Sequence, residues 1–217
     1  MSFRSFLRSI RTAGRGVLVG LPEAATDSNP FELFGVWLAA ARESGMIEPT
    51  AMTLATATAD GAPSARMVLL KGFDERGFVF YTNYESRKAI EISENDRVSL
   101  VFYWPVLLRQ VTVEGRVQKV SREESAAYFA TRSRGSQLGA WASHQSRPLG
   151  SREELVARVE EMKERFRDRD VELPPFWGGY RVVPQRIHFW QGRSDRLHDR
   201  IMFERDGDGW VGTRLNP

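Results

Sequence analysis

The sequence predicts a mainly β chain of the α+β class: a small antiparallel barrel with helices on its periphery. Three observations carry that expectation. Strand-like runs separated by tight, Gly-marked turns follow one another closely from residue 51 to residue 120, and again near the C-terminus. Capped helical segments interrupt these runs. The 217 residues contain no internal repeat, low-complexity tract or linker long enough to split them, so residues 26–217 are expected to form one domain.

Residues 1–25 are read apart, as an N-terminal arm. Arg4, Arg8, Arg11 and Arg15 recur at helical spacing among Phe3, Phe6, Leu7 and Ile10, with no acid before Glu23. A mitochondrial transit peptide has this composition. So does a mobile basic arm that folds over an anionic ligand, and that is the reading adopted.

The first secure helix is NPFELFGVWLAAARESG. Asn29 can cap it, Pro30 suits its first turn, Glu32 completes a capping box and Gly45 stops it. Phe34, Trp37, Leu38 and Ala41 form one stripe for the core. Two strands then flank Asp60-Gly61, a strong hairpin signal. FVFYT (78–82) follows a second turn at Glu75-Arg76-Gly77, and RVSLVFYW (97–104) and LLRQVTVEGRVQKV (107–120) complete the block. In the last of these, Val111, Val113 and Gly115 alternate with Gln110, Thr112 and Glu114, so one face is polar.

Helices are expected from Ser86 to Asn95, after Ser121 and after Ser151, the last two opened by capping boxes. The helix after Ser151 carries Leu155, Val159, Met162 and Phe166 on one stripe and is expected to dock on the barrel. GYRVV, RIHFWQ and RIMFERDGDGWVGTRL read as a closing antiparallel set that turns at Asp206-Gly207-Asp208-Gly209.

Composition narrows the chemistry. The 41% hydrophobic and 27% charged contents are those of a globular protein. The absence of Cys excludes disulfides, thiolate chemistry and Cys-ligated zinc, and three scattered His disfavour a metal site. It is also compatible with a reducing compartment, and the cytoplasm is the expected location. No apolar run approaches a membrane span. The 31 basic residues nearly balance 28 acidic ones, and almost all are Arg, which suits bidentate phosphate or carboxylate binding. These cations lie on loops and helix starts among acids. A nucleic-acid-binding barrel would interleave them with aromatics along one sheet face.

Four stretches are candidates for a site. In YESRKAIE (84–91), Ser86, Arg87 and Lys88 open a helix, where free N–H groups, the helix dipole and two cations favour a phosphate. In ARMVLLKG (65–72), Arg66 and Lys71 are five apart and point to opposite faces of a strand. In YFATRSRGSQLGAWASHQS (128–146), Tyr128 and Arg132 share a helix face, and Ser136 follows in an irregular Gly-containing segment. With Gln145 and Ser146 they offer a second oxyanion cradle. In FWQGRSDRLHDR (189–200), Arg196 and His198 lie on the connection between two strands and project the same way. They can flank a planar ring, with Trp190 at one strand end and Arg200 at the next start. Taken singly, each stretch also has a bland reading as a solvated strand end, a helix-surface stack or a hairpin loop. Together, two anion sites and a planar pocket fit a phosphorylated aromatic cofactor beside a phosphorylated aromatic substrate.

The order of these motifs resembles the pyridoxine/pyridoxamine 5′-phosphate oxidase family. RMVLLK, FYTNYESRK, RQV, RSRGSQLGAWASHQS, FWGGYRV, FWQGRSDRLHDR and a terminal RLNP fall in the family's order and spacing from about Pro30 to Pro217. The resemblance implies an antiparallel FMN-binding split β-barrel with peripheral helices, a homodimer holding FMN at the subunit interface. The flavin ligands it implies are Arg66, Met67, Val68, Leu69, Leu70, Lys71, Tyr81, Thr82, Arg87, Lys88, Gln110, Gln145, Ser146, Trp190 and Arg200. Its implied substrate ligands are Lys71, Tyr128, Arg132, Ser136, Arg196, Leu197 and His198, with Arg196 and His198 as the catalytic pair against the pyridine ring. The flavin phosphate is assigned to Arg87-Lys88 and the substrate phosphate to Lys71, Tyr128, Arg132 and Ser136.

The implied reaction moves a hydride from C4′ of pyridoxine or pyridoxamine 5′-phosphate to flavin N5. Dioxygen then reoxidises the flavin, giving hydrogen peroxide and pyridoxal 5′-phosphate. No strongly perturbed general base, metal, membrane or nucleic acid is implied. The alternative is a related flavin oxidase of the same barrel acting on another aromatic, such as a phenazine precursor. The intact Tyr128, Arg132 and Ser136 set argues against it, because an unphosphorylated substrate does not need that cradle. Two departures stand out. Residues 1–25 contain no Tyr, and TAGRGV stands where the family has an Arg-Arg-x-Tyr-like run. RLNP replaces the usual RLAP, with no expected consequence.

Overall fold

The structure, a computed structural model, describes Leu21 and residues 23–217. Residues 1–20 and 22, and with them most of the expected arm, lie outside the described residues.

Among the described residues nine antiparallel strands form one sheet. Its row runs β2 (Pro63–Leu69), β1 (Ala51–Ala57), β5 (Arg97–Trp104), β6 (Arg109–Lys119), β7 (Trp177–Gln191), β4 (Gly77–Asn83) and β3 (Gly72–Asp74). β8 (Asp199–Asp206) pairs with β7, and β9 (Gly209–Leu215) with β8. The two ends of the row, β2 and β3, are successive in the chain. At their junction Leu70 N–H donates to the Thr50 carbonyl at 2.9 Å and Lys71 N–H to the Val79 carbonyl at 2.8 Å. The chain therefore steps from one rim to the other, and the sheet curls into a barrel.

The barrel is split because β7 serves two partners. Its first residues pair with β4 and its last with β8, while β6 follows it along nearly its whole length. The sequence reads GYRVV and RIHFWQ as two strands; they form one strand of 15 residues. Pro184 survives inside it because it faces the bulge at Glu114/Gly115, where the ladder is already broken. Gly115 is obligatory there: a Cβ would stand 2.1 Å from the Val183 carbonyl oxygen and 2.9 Å from the Pro184 Cα. Gly115→Ala is expected to cost about 3 kcal/mol, lowering Tm by roughly 6–12 °C. A thermal melt within experimental error of the parent would show that the bend accommodates a side chain.

The alternation predicted for the strands holds, and it builds the core. Met52 and Leu54 of β1, Leu100 and Phe102 of β5, Val111 and Val113 of β6, and Ile187 and Phe189 of β7 are all buried. Helix α1 (Pro30–Glu43), capped by Asn29 accepting from Phe31 N–H at 2.8 Å, closes the barrel. Phe34 meets Phe73, Phe78 and Phe102 edge-on with centroids at 4.9 Å, and Trp37 meets Phe189 at 5.2 Å. Helix α2 (Arg87–Glu94) packs beside β1.

Helices α3 (Arg122–Ala130), α4 (Arg134–Ala142) and α5 (Arg152–Arg165) gather around a second, smaller core of Phe129, Leu138, Phe166, Val171 and Trp177. The expectation that α5 docks on the barrel is corrected here. It packs on α4, buries none of its residues fully, and joins the small core through Met162 and the following Phe166. Its apolar stripe is narrow for a helix so densely charged. The segment around Ser136, read as irregular, is α4 itself: the Ser133 hydroxyl accepts from Ser136 N–H and caps it despite Gly135 and Gly139. Among the described residues no helix is long and apolar enough to cross a membrane.

Candidate active site

A cleft of about 490 Å³ opens beside β2 and β4. β2 and the residue pair after it supply Met67, Val68, Leu69 and Lys71; β4 supplies Tyr81 and Thr82; α2 supplies Lys88. Tyr128, Arg132, Ser133 and Ser136 come from the α3–α4 corner, Gln145 from the loop after α4, and Trp177 from the start of β7. A larger concavity of about 580 Å³ lies near Ala55, Ser99, Glu114 and Arg186, but none of the sequence-predicted ligands lines it. The smaller cleft, which gathers predicted ligands from both the flavin and the substrate sets, is the candidate site.

One end of the cleft holds Lys88. Its ammonium donates to Gln145 Oε1 at 2.8 Å, Ser86 Oγ at 3.1 Å and Thr82 Oγ1 at 3.2 Å. All three acceptors are neutral. Burial, and then the nearby Arg66 cation, push Lys88 down to about 8 despite the opposing pull of Glu91. Ser86 stands at the N-cap position, but its hydroxyl donates to the Asn83 carbonyl at 2.7 Å instead of capping α2.

The other end is aromatic and cationic. Tyr81 and Tyr128 stack with centroids at 3.9 Å, and Trp177 lies nearly parallel to both. Burial, followed by Glu124 and Tyr128, raises the Tyr81 phenol to about 12, so it stays a neutral donor. α3 ends at Ala130, where the Thr131 hydroxyl donates to the Tyr128 carbonyl at 2.7 Å. Arg132 therefore leaves the helix face it was expected to share with Tyr128. Its guanidinium sits 4.7 Å over the Trp177 ring and 5.6 Å from that of Phe129. Arg132 Nη1 is buried without a hydrogen-bond partner, and burial lowers the group's affinity for its proton.

Arg66 lies behind this cleft. Register places it opposite Leu54, on the inner face, whereas Met67 opposite Thr53 looks outward. Arg66 donates to Thr56, to Ser64 and, at 3.1 Å, to Glu91 Oε2. Glu91 is almost wholly buried and also accepts from Thr56, from Ser64 and from Arg87 Nε at 2.8 Å. Burial alone raises a carboxyl; here the hydroxyls of Ser64 and Thr56 and the two guanidiniums reverse it, holding Glu91 at about 2. The sequence reading missed Glu91. The spacing of Arg87 and Glu91 on α2 was a legible pairing signal, but its burial was not.

The remaining predicted ligands lie elsewhere in this chain. Gln110 of β6 faces Trp190 of β7, which faces Arg200 of β8. Trp190 and His198 meet with centroids at 4.7 Å, and His198 Nδ1 accepts from Arg193 N–H at 3.1 Å. Arg196 and Leu197 are exposed on the loop between β7 and β8, where Asp195 and Arg196 both take left-handed backbone angles, φ 56° and 61°. Two successive non-Gly residues in that region are uncommon and cost backbone strain. Trp177 and Trp190 belong to opposite ends of β7, about 40 Å of strand apart. The structure thus brings Lys71, Tyr81, Thr82, Lys88, Tyr128, Arg132, Ser136 and Gln145 together. It holds Gln110, Trp190, Arg196, His198 and Arg200 as a separate set. Arg87 and Ser146 line a shallower pocket of about 320 Å³ on the outer side of α2, and Leu70 is buried at the β2–β3 junction.

The profile of the family described as pyridoxamine 5′-phosphate oxidase matches residues 38–166, more than half of the chain. The chain belongs to that family. The profile of the pyridoxine 5′-phosphate oxidase C-terminal dimerisation region matches residues 177–217, the span of β7, β8 and β9. Among similar proteins, a pyridoxine/pyridoxamine 5′-phosphate oxidase of Rubrobacter xylanophilus is 62% identical over 198 residues, 91% of each chain. One of Psychromonas ingrahamii is 48% identical over the full length of both. Among solved structures, PhzG from Burkholderia lata, in complex with tetrahydrophenazine-1-carboxylic acid, superposes with a TM-score of 0.85 at 36% identity, covering 92% of this chain and 98% of that one. A pyridoxamine 5′-phosphate oxidase-related, FMN-binding protein from Nostoc punctiforme shares the fold, with a TM-score of 0.71 at 18% identity over 91% of this chain and 99% of that one. The split barrel of this family is therefore the fold of this chain.

Proposed function

We propose that the protein is an FMN-dependent oxidase that converts pyridoxine and pyridoxamine 5′-phosphates to pyridoxal 5′-phosphate, with dioxygen as acceptor and hydrogen peroxide as product. One observation carries this reading: two partly buried cations, Lys88 and Arg132, meet on one aromatic cleft with no carboxylate among the described residues bonded to either. Burying a charge is costly unless an opposite charge answers it. Two anionic groups satisfy them, and the Tyr81, Tyr128 and Trp177 surface between suits planar rings. The names and identities of the similar proteins support the vitamer as substrate over a phenazine precursor.

The donor set fits FMN. Lys88, with Thr82, Gln145, Ser146 and Arg87, would hold its phosphate side, and Met67 through Lys71, with Gln110 of a second copy, its ring system. The chemistry supplied by bound FMN is acceptance of a hydride from C4′ and two-electron reduction of dioxygen. The chain's own work is positioning and electrostatics. Lys71, Tyr128, Arg132 and Ser136 grip the substrate phosphate and so fix where the pyridine ring lies. Arg196 and His198 press and orient that ring.

In this reading Arg196 and His198 act on the cleft of a second copy. Within one chain β7 keeps them far from Arg132, beyond the reach of a pyridoxine-sized molecule. The dimerisation region that contains them supports a homodimer in which each subunit completes its partner's site.

Anaerobic titration tests the substrate. The purified protein is expected to be yellow and to bleach with pyridoxine 5′-phosphate in the absence of oxygen. A flavin that stays oxidised with that ester, yet is reduced by an unphosphorylated aromatic, would assign the site to the second substrate class. A pH profile tests the cofactor end. Because Lys88 loses its proton near pH 8, FMN affinity is expected to fall as pH rises through about 8, and Lys88→Met to remove that fall. An affinity that stays flat in the parent from about pH 7 to about pH 9 contradicts the assignment.

A further inference from the structure

Under this function one histidine of the sheet, His188, has no role. It lies on the outer face of β7, in a transverse row with Met67, Thr53, Val101, Thr112 and Met202. Its Nε2 accepts a hydrogen bond from Arg200 Nε at 3.2 Å. Arg200 Nη1 donates to the Asn216 carbonyl at 3.0 Å. Both acceptors are uncharged. The neighbouring guanidinium of Arg214 is treated differently, being paired with the Asp199 carboxylate at 3.4 Å. Arg200 is thus oriented by two hydrogen bonds and keeps its full positive charge for whatever it faces.

We propose that His188 is a positioning residue for Arg200, its neutral imidazole holding the guanidinium in the flavin-binding orientation without neutralising it. This rests on the FMN reading above. The acceptor role fixes the tautomer: the ring proton is on Nδ1 and the lone pair on Nε2. A second proton abolishes the acceptor and sets two cations against each other. The groups that face His188 are Arg186 and Trp190 on its own strand, Gln110, Thr112 and Glu114 on β6, and Arg200, Met202 and Glu204 on β8. Arg186 and Glu204 answer each other at 2.8 Å. Burial first, and Arg200 second, lower the imidazole below its ordinary range. The neutral form therefore persists at neutral pH, and the hold on Arg200 fails only in acid.

FMN affinity measured by flavin fluorescence quenching, from about pH 8 to about pH 5, tests this in the parent, His188→Gln and His188→Leu proteins. Glutamine keeps an acceptor but does not titrate, so the parent-to-glutamine ratio cancels the titrations of the flavin phosphate and of Lys88. That ratio is expected to be near one at the alkaline end and to move against the parent toward the acid end, as the imidazole takes up its second proton. His188→Leu is expected to bind about tenfold more weakly than the parent at the alkaline end. Parallel profiles for parent and His188→Gln overturn the proposal while leaving the FMN reading intact, and they do so even if the leucine variant does not fold. Leucine-variant binding equal to the parent's overturns it as well. A parent that binds no FMN at any pH removes the FMN reading, and this inference with it.

Discussion

Arg132→Ala is expected to raise KM for pyridoxine 5′-phosphate by on the order of 100-fold, with FMN content close to that of the parent. The magnitude follows from the side chain's situation. Its guanidinium is clamped against the Trp177 ring at 4.7 Å, and one nitrogen is buried without a partner. A phosphate ester would supply that missing acceptor. Hydrogen bonds to charged groups are worth roughly 1.5–3 kcal/mol each, so losing one near the top of that range accounts for the expected change. Arg132→Lys should recover little, because a point charge cannot both stack on Trp177 and present a planar pair of donors. Steady-state kinetics with pyridoxine 5′-phosphate, beside flavin content from the absorption spectrum, checks it. Parallel loss of flavin and substrate binding would move Arg132 from the substrate's phosphate to the flavin's.

Glu91→Leu is expected to be the most damaging change to stability, costing about 3–5 kcal/mol. The carboxylate has 4% side-chain exposure and answers Arg66, whose side chain is 20% exposed. Arg87 is 68% exposed, so its share of the pairing is screened by water and contributes little. Without the carboxylate, Arg66 and Lys88 face each other with nothing between them to offset like charge. Melting temperature should fall by roughly 6–20 °C, and added FMN should restore part of it by supplying an anion. The pH dependence has a definite sign. A carboxyl held down at about 2 contributes stability that is present above the ordinary Glu range and lost as pH falls toward that value. A melting temperature unchanged in Glu91→Leu would show that the cluster contributes nothing net.

Much of this was legible in the sequence, for identifiable reasons. Strand alternation named Val111 and Val113 as core, and the Asn29, Ser121 and Ser151 caps named helix starts, because both signals are local. What failed depended on partners distant in sequence. GYRVV and RIHFWQ were read as separate runs, but they join across Pro184 at a bulge that is set by Gly115 on β6. Tyr128 and Arg132 were paired by helical spacing, but α3 ends between them, and what brings them to one cleft is the Trp177 ring of β7. Glu91 drew no reading from the sequence, because what buries it is β1 and β2, which enclose it with Thr56 and Ser64. The motifs named the candidate residues without revealing that they form two sets at opposite ends of β7.

That division makes subunit complementation the most direct test of the shared site. At substrate concentrations near the parent's KM, Arg132→Ala and Arg196→Ala homodimers are each expected to be nearly inactive. In a mixed dimer, purified through two different tags, one site receives both substitutions and the other receives neither. Such dimers are expected to show about half the parent activity, with one intact site of two. Mixed dimers as inactive as either homodimer would mean that Arg132 and Arg196 serve the same site within one chain.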